Sequence, residues 1–119
     1  MGADPQISHL FAGIPIADYD RAVEWYERLL GRAPDILPTA GEAMWSVTPT
    51  GSIYIVQTPS GAGGTVVTVA VRDLDGLLAG LAARGIEAGP VEQVGSAGRK
   101  ATVVDPDGSR ISFVELVNG

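Results

Sequence analysis

Ile16-Ala17-Asp18-Tyr19-Asp20 is matched further along the chain by Val71-Arg72-Asp73-Leu74-Asp75. Each copy follows an alternating apolar run and leads into a helical pattern that ends in Gly. Thr48-Pro49-Thr50-Gly51 is matched in the same way by Asp105-Pro106-Asp107-Gly108. The offset, about 55 to 57 residues, is too long for a solenoid repeat and indicates two copies of one small module.

The elements of each module follow from local chemistry. Asp18 and Asp73 stand where a helix N-cap belongs, with carboxylates able to accept free N–H groups of the first turn. Ala22, Val23, Tyr26, Leu29 and Leu30 recur at helical spacing, as do Leu74, Leu77, Leu78 and Leu81. Gly31 and Gly85 suit the left-handed residue that closes a helix. A strand precedes each helix (Ile7 to Ile16, Thr65 to Val71), and three short strands follow it. The last two are joined by a Pro-containing turn. The expected order is therefore strand, helix and three strands, twice, with each helix covering one face of a four-stranded sheet.

Alternation assigns the faces. Leu10, Ala12, Ile14 and Ile16, with Ile53 and Ile55, form one aliphatic row; Val67, Val69 and Val71, with Ile111 and Phe113, form the other. These belong under the helices. The opposite face carries His9, Phe11, Gly13, Tyr54 and Val56, then Val66, Thr68, Ala70, Arg110, Ser112 and Val114. This mixed face is the kind that lines a cavity.

Composition narrows the function. The chain has 119 residues, enough for one domain with a core and too few for two. A net charge of −6 argues against nucleic-acid partners, which need clustered Lys and Arg. With no Cys and one His, disulfides, zinc ribbons, iron–sulfur clusters and two-His sites within one chain are excluded. No apolar run reaches the ~18 residues of a membrane span. Met1-Gly2 through Pro5 has neither the basic nor the apolar stretch of a secretory signal, and Gln6 stands where a myristoylation signal wants Ser or Thr. The expectation is a cytoplasmic protein with no membrane partner. No nucleophile elbow, Walker loop or dinucleotide fingerprint is present.

With the Asp18 helix start, Ala22, Trp25-Tyr26, Leu30-Gly31 and the Asp105-Pro106-Asp107-Gly108 turn in this order and duplicated, the chain resembles the vicinal oxygen chelate superfamily. That group holds glyoxalase I, extradiol dioxygenases and the bleomycin- and fosfomycin-resistance proteins. The resemblance covers Ile7 to Val117. It implies an α+β fold of two tandem βαβββ modules forming a curved eight-stranded mixed sheet, an open barrel or cup, with helices on the outer face. The expected layout is one domain over 1–119, with module one at about 7–58, a linker at 59–64 and module two at about 65–117.

The resemblance also implies where a metal would sit: a His about seven residues before the capping Asp, and a Glu four residues after the turn's Gly. Here those positions hold Phe11, Val66 and Ser112, and Tyr54 is the counterpart in the first module. None is an ordinary carboxylate or imidazole ligand. His9 is on the Phe11 face, but Glu115 has the opposite parity from Ser112 and needs a bulge to turn inward. No metal or other cofactor is expected.

The expected ligand site is a pocket lined by Phe11, Tyr54, Val66 and Ser112, with His9 and Trp45 at the rim. Competing plain readings are a solvated or neighbour-satisfied His9 and a Trp45 that belongs to the core. Trp25 and Tyr26 are expected to be structural, and Gln57, Glu115 and the Arg99-Lys100 pair to be solvated. Asp105 and Asp107 are explained by backbone hydrogen bonding in their turn. The sequence thus points to a metal-independent protein binding a partly apolar or aromatic small molecule, similar to the drug-binding resistance branch, and acting as a homodimer. The alternative is a glyoxalase-like lyase, isomerase or dioxygenase with displaced ligands.

Overall fold

The first helix, α1 (Tyr19–Leu30), starts where Asp18 accepts the Arg21 N–H at 3.3 Å. It stops at Gly31, whose φ of 77° is the left-handed closure a glycine takes without strain. The second helix, α2 (Leu74–Ala83), starts in the same way, with the Gly76 N–H donating to Asp73 at 3.0 Å. It ends at Arg84, with Gly85 left-handed just beyond. The structure, a computed structural model, describes residues 6–117. The readings of Met1, Gly2 and Pro5 lie outside the described residues.

Strand β1 (Leu10–Ile16) precedes α1, and β2 (Glu42–Thr48) and β3 (Gly51–Gln57) follow it. A short 3-10 turn at Pro59–Gly61 leads to β4 (Val66–Ala70) and α2, and then to β5 (Glu92–Val94), β6 (Gly98–Val104) and β7 (Arg110–Leu116). One sheet has the order β1-β3-β2 and the other β4-β7-β6-β5. In each, the strand before the helix pairs in parallel with the last strand of its half, and the other pairings are antiparallel.

The architecture is α+β, but the continuous eight-stranded sheet is not what the chain forms. There are two sheets, of three and four strands. The missing strand of the first half is reduced to one antiparallel bridge, Ile36 with Met44. Pro34 and Pro38 flank it, and neither has an N–H to offer a ladder. Beyond the bridge, the outer edge of β2 is met by side chains. Asp35 accepts the Ser46 N–H at 2.8 Å, and Arg32, paired with Asp35, donates to the Ser46 carbonyl.

The core follows the alternation. Ile14, Ile16, Ala43, Trp45, Ile53 and Ile55 of the first sheet are buried, as are Ala101, Val103, Ile111 and Phe113 of the second. They form one cluster with Ala22, Tyr26 and Leu29 of α1 and Leu74 and Leu81 of α2. Leu10 departs from its row and is 73% exposed. Twelve helical residues span ~18 Å and the seven of β1 ~23 Å, so the strand outruns its helix.

Gln57 and Glu115 carry the repeat into the side chains. Each lies near the end of the last strand of its half, and each accepts the N–H of the residue after the N-cap. Gln57 takes Tyr19 at 3.0 Å and Glu115 takes Leu74 at 2.9 Å. Gln57 is exposed, as the sequence implies, and Glu115 is half-buried; both also hold a helix start against its sheet. Arg99, also expected in solvent, pairs with Glu115 at 3.1 Å and Asp75 at 3.0 Å.

Candidate ligand-binding face

The β1–β3 register sets Phe11 beside Ser52 and Gly13 beside Tyr54. On this face the His9 and Phe11 rings lie 4.5 Å apart between centroids, and His9 Nε2 is 2.9 Å from Ser52 Oγ. Tyr54 is half-buried against Gly13: a Cβ added there would meet the phenol at 2.5 Å. Glycine lets the ring lie flat on the strand. His9, Phe11, Ser52 and Tyr54 therefore make one patch, aromatic with a single polar pair. Phe11 is 54% exposed.

The second patch lies on the other sheet. Val66 is 68% exposed on β4, and Thr68 sits beside Ser112. Ser112 is buried, its hydroxyl 2.8 Å from that of Thr102. It contributes a closed hydroxyl pair to this face.

Trp45 is not at a rim. It is fully buried, because β2 pairs it with Ile53 on the helix-bearing side. Its indole N–H donates to the Arg32 carbonyl at 2.9 Å, and its ring lies 6.2 Å from that of Tyr26. The plain core reading applies to it.

A cavity of about 410 Å³ opens where β1 and β3 approach β4, walled by Leu10, Ala12, Ser52, Val67, Thr68 and Ala70 among others. It uses neighbours of the expected residues rather than Phe11, Tyr54, Val66 or Ser112 themselves. Ser52 joins the two, touching His9 and lining the cavity. Sequence reasoning missed Ser52; its one signal was the register that pairs it with Phe11.

These halves and faces define a member of the vicinal oxygen chelate class. The family model described as Glyoxalase/Bleomycin resistance protein/Dioxygenase superfamily matches residues 6–113, and the chain belongs to that superfamily. A glyoxalase/bleomycin resistance protein from Catenulispora acidiphila DSM 44928 is 42% identical, with a TM-score of 0.86 over 91% of this chain and 97% of that one. The antibiotic-binding protein TnmS3 from Streptomyces sp. CB03234 is 23% identical, with a TM-score of 0.74 over 92% and 97%. A bleomycin-binding protein complexed with bleomycin is 20% identical, with a TM-score of 0.72 over 90% and 95%. Among curated proteins none matches. No described helix is long and apolar enough to cross a membrane.

Metal-dependent members of the superfamily raise the question of a divalent ion. The residues present do not fit one. Phe11 and Val66 have no donor atoms, Tyr54 has a phenol, and the Ser112 hydroxyl is engaged with Thr102. Glu115 is committed to the Leu74 N–H and Arg99, which in that order hold its pKa below the usual range. Among the described residues no group of three or more His, Cys, Asp or Glu is placed to hold a metal.

Proposed function

We propose that this chain is a metal-independent receptor for a partly apolar or aromatic small molecule, like the drug-binding, resistance members of its superfamily. The observation that carries the reading is the side chains at the superfamily's ligand positions: aromatic, aliphatic or a closed hydroxyl pair. Phe11 and Tyr54 offer stacking and Val66 an aliphatic wall, while His9 held by Ser52 supplies a polar group to orient a ligand. Burying roughly 200 Å² of apolar ligand surface is worth on the order of 5 kcal/mol before entropic costs, which alone corresponds to a Kd of about 0.2 mM, so micromolar binding needs well-placed polar contacts. The fold neighbour complexed with bleomycin makes bleomycin the first compound to try.

The working unit is a homodimer in the cytoplasm. The exposed Phe11 and Val66, with Leu10 next to Phe11 and Val104 across β7 from Val66 and likewise exposed, favour a second copy closing the two patches into one curved sheet and cup. A thermal-shift and calorimetric screen tests the binding reading. A compound that raises the melting temperature equally before and after dialysis against a chelator supports it. Stoichiometric metal in protein purified without chelator, or no response to any aromatic compound, overturns it. Light scattering at micromolar concentration reads the oligomer.

The contact between His9 and Ser52 favours one second reading, a metal-free isomerase using His9 for proton transfer. Solvent-proton exchange into 2-oxo substrates that is abolished in His9→Ala would select it.

A further inference from the structure

A second cavity, of about 290 Å³, lies between the two halves on their helix-bearing sides. Its walls include Leu29, Val71, Leu77 and Phe113, with Arg32 and Arg84 as its cations. His9, Phe11, Tyr54 and Val66 take no part in it, though it adjoins the 410 Å³ cavity and shares Val47, Ile53 and Val69 with it.

Arg84 is the unusual group. Its Nε donates to the Arg28 carbonyl and its Nη2 to the Leu29 carbonyl at 3.2 Å, both in the last turn of α1. A guanidinium has five N–H donors, so three remain, and no other protein acceptor meets them among the described residues. Arg32 has Asp35 at 3.2 Å as its ion-pair partner. Arg84 has no carboxylate partner among the described residues, whose ion pairs are Arg32–Asp35, Arg99–Asp75 and Arg99–Glu115. The carbonyl end of α1 supplies roughly half a negative charge. Half-buried, Arg84 lines the hollow beside Arg32, Ser46 and the apolar side chains, in a chain of net charge −6.

We propose that this cavity binds a small amphipathic anion, a monocarboxylate on an aliphatic body. The carboxylate takes the unused donors of Arg84 in the paired geometry that suits a guanidinium, and the aliphatic body displaces water from Leu29, Val71, Leu77 and Phe113. A volume of about 290 Å³ equals on the order of ten water molecules, which sets the scale at a short or medium chain.

Octanoate and its neutral counterpart 1-octanol are the probes, titrated into the full chain by calorimetry and by amide chemical-shift mapping. One octanoate should bind per chain, at least tenfold tighter than 1-octanol, with shifts at Val71, Leu77 and Arg84. Val71→Phe fills the hollow and should abolish binding of both. Arg84→Gln should cost octanoate at least tenfold and leave 1-octanol unchanged. Because Arg84 also ties the end of α1, Arg84→Lys keeps the charge in case the Gln variant fails to fold, and it should retain the preference for the anion. Phe11→Ala should leave octanoate binding intact, which separates this site from the proposed receptor face. Equal affinity for the two probes, binding that survives Val71→Phe, or binding lost in Phe11→Ala overturns the proposal.

Discussion

The Tyr26 phenol donates to the Asp105 carboxylate at 2.8 Å, joining the helix of the first half to the last turn of the second. The other oxygen of Asp105 accepts the N–H groups of Asp107 and Ser109, both at 2.9 Å. One buried carboxylate thus shapes its own turn and receives the neighbouring module. Burial first, and then the Asp105 charge, push the Tyr26 phenol above its ordinary range.

Tyr26→Phe leaves one oxygen of Asp105 without its donor and should destabilise the fold by about 1–3 kcal/mol in urea denaturation. The pH dependence has a definite sign. A phenol whose pKa is higher folded than unfolded stabilises fully below about pH 10 and loses that stabilisation as pH rises towards its folded value. Wild type should therefore lose stability above about pH 10 more steeply than Tyr26→Phe.

Glu115 has the opposite sign. The Leu74 N–H, then Arg99, lower its pKa in the fold. Its stabilisation is present above the unfolded value of about 4.3 and disappears as pH falls through the lower folded value. Glu115→Gln keeps an acceptor for Leu74 and loses the charge facing Arg99. The denaturation midpoint of this variant should fall less than that of wild type below about pH 4.3, and high salt should narrow the difference between the two near neutral pH.

Gly63 has a φ of 90°, and a Cβ there would run into the Asp107 carbonyl; Gly64 has nothing within 4 Å of an added Cβ. Gly63→Ala should cost about 1–3 kcal/mol. Gly64→Ala should be neutral or gain up to about 1 kcal/mol through a stiffer unfolded chain. Melting curves of the two single variants check the contrast.

Gly13→Ala displaces the Tyr54 ring from its seat on β1. An aromatic ligand of the proposed face should then bind at least fivefold weaker, while stability falls by only about 1–2 kcal/mol because the ring has solvent beside it. Calorimetry alongside denaturation separates the two effects.

What the sequence discloses is the part of the fold governed by local chemistry. Asp18, Asp73 and Gly31 act as their types dictate, and the aliphatic rows of Ile14, Ile16, Ile53, Ile55, Ile111 and Phe113 are buried. Tyr26 is structural, as its helical spacing implies, and the sequence withholds only its partner Asp105. The bonds of Gln57, Glu115 and Arg99 are not legible, because their partners lie 16 to 41 residues away and only the packing of helix on sheet brings them together. Trp45 was placed at the rim for want of the β2–β3 register, which alone fixes its side. The eighth strand was read from symmetry, and Pro34 and Pro38 break that symmetry. The Arg84 cavity has no sequence signal at all, since it belongs to neither repeat and exists only between them.

The pairing of Arg32 and Asp35 around Ser46 has a consequence for how the protein behaves in a crowded solution. An open sheet margin is a template on which foreign chains can grow. Here both backbone groups of Ser46 are already occupied by charged side chains. Two residues outside any strand thus act as a stopper where the missing strand would have lain, and guard that margin against fibrous self-association.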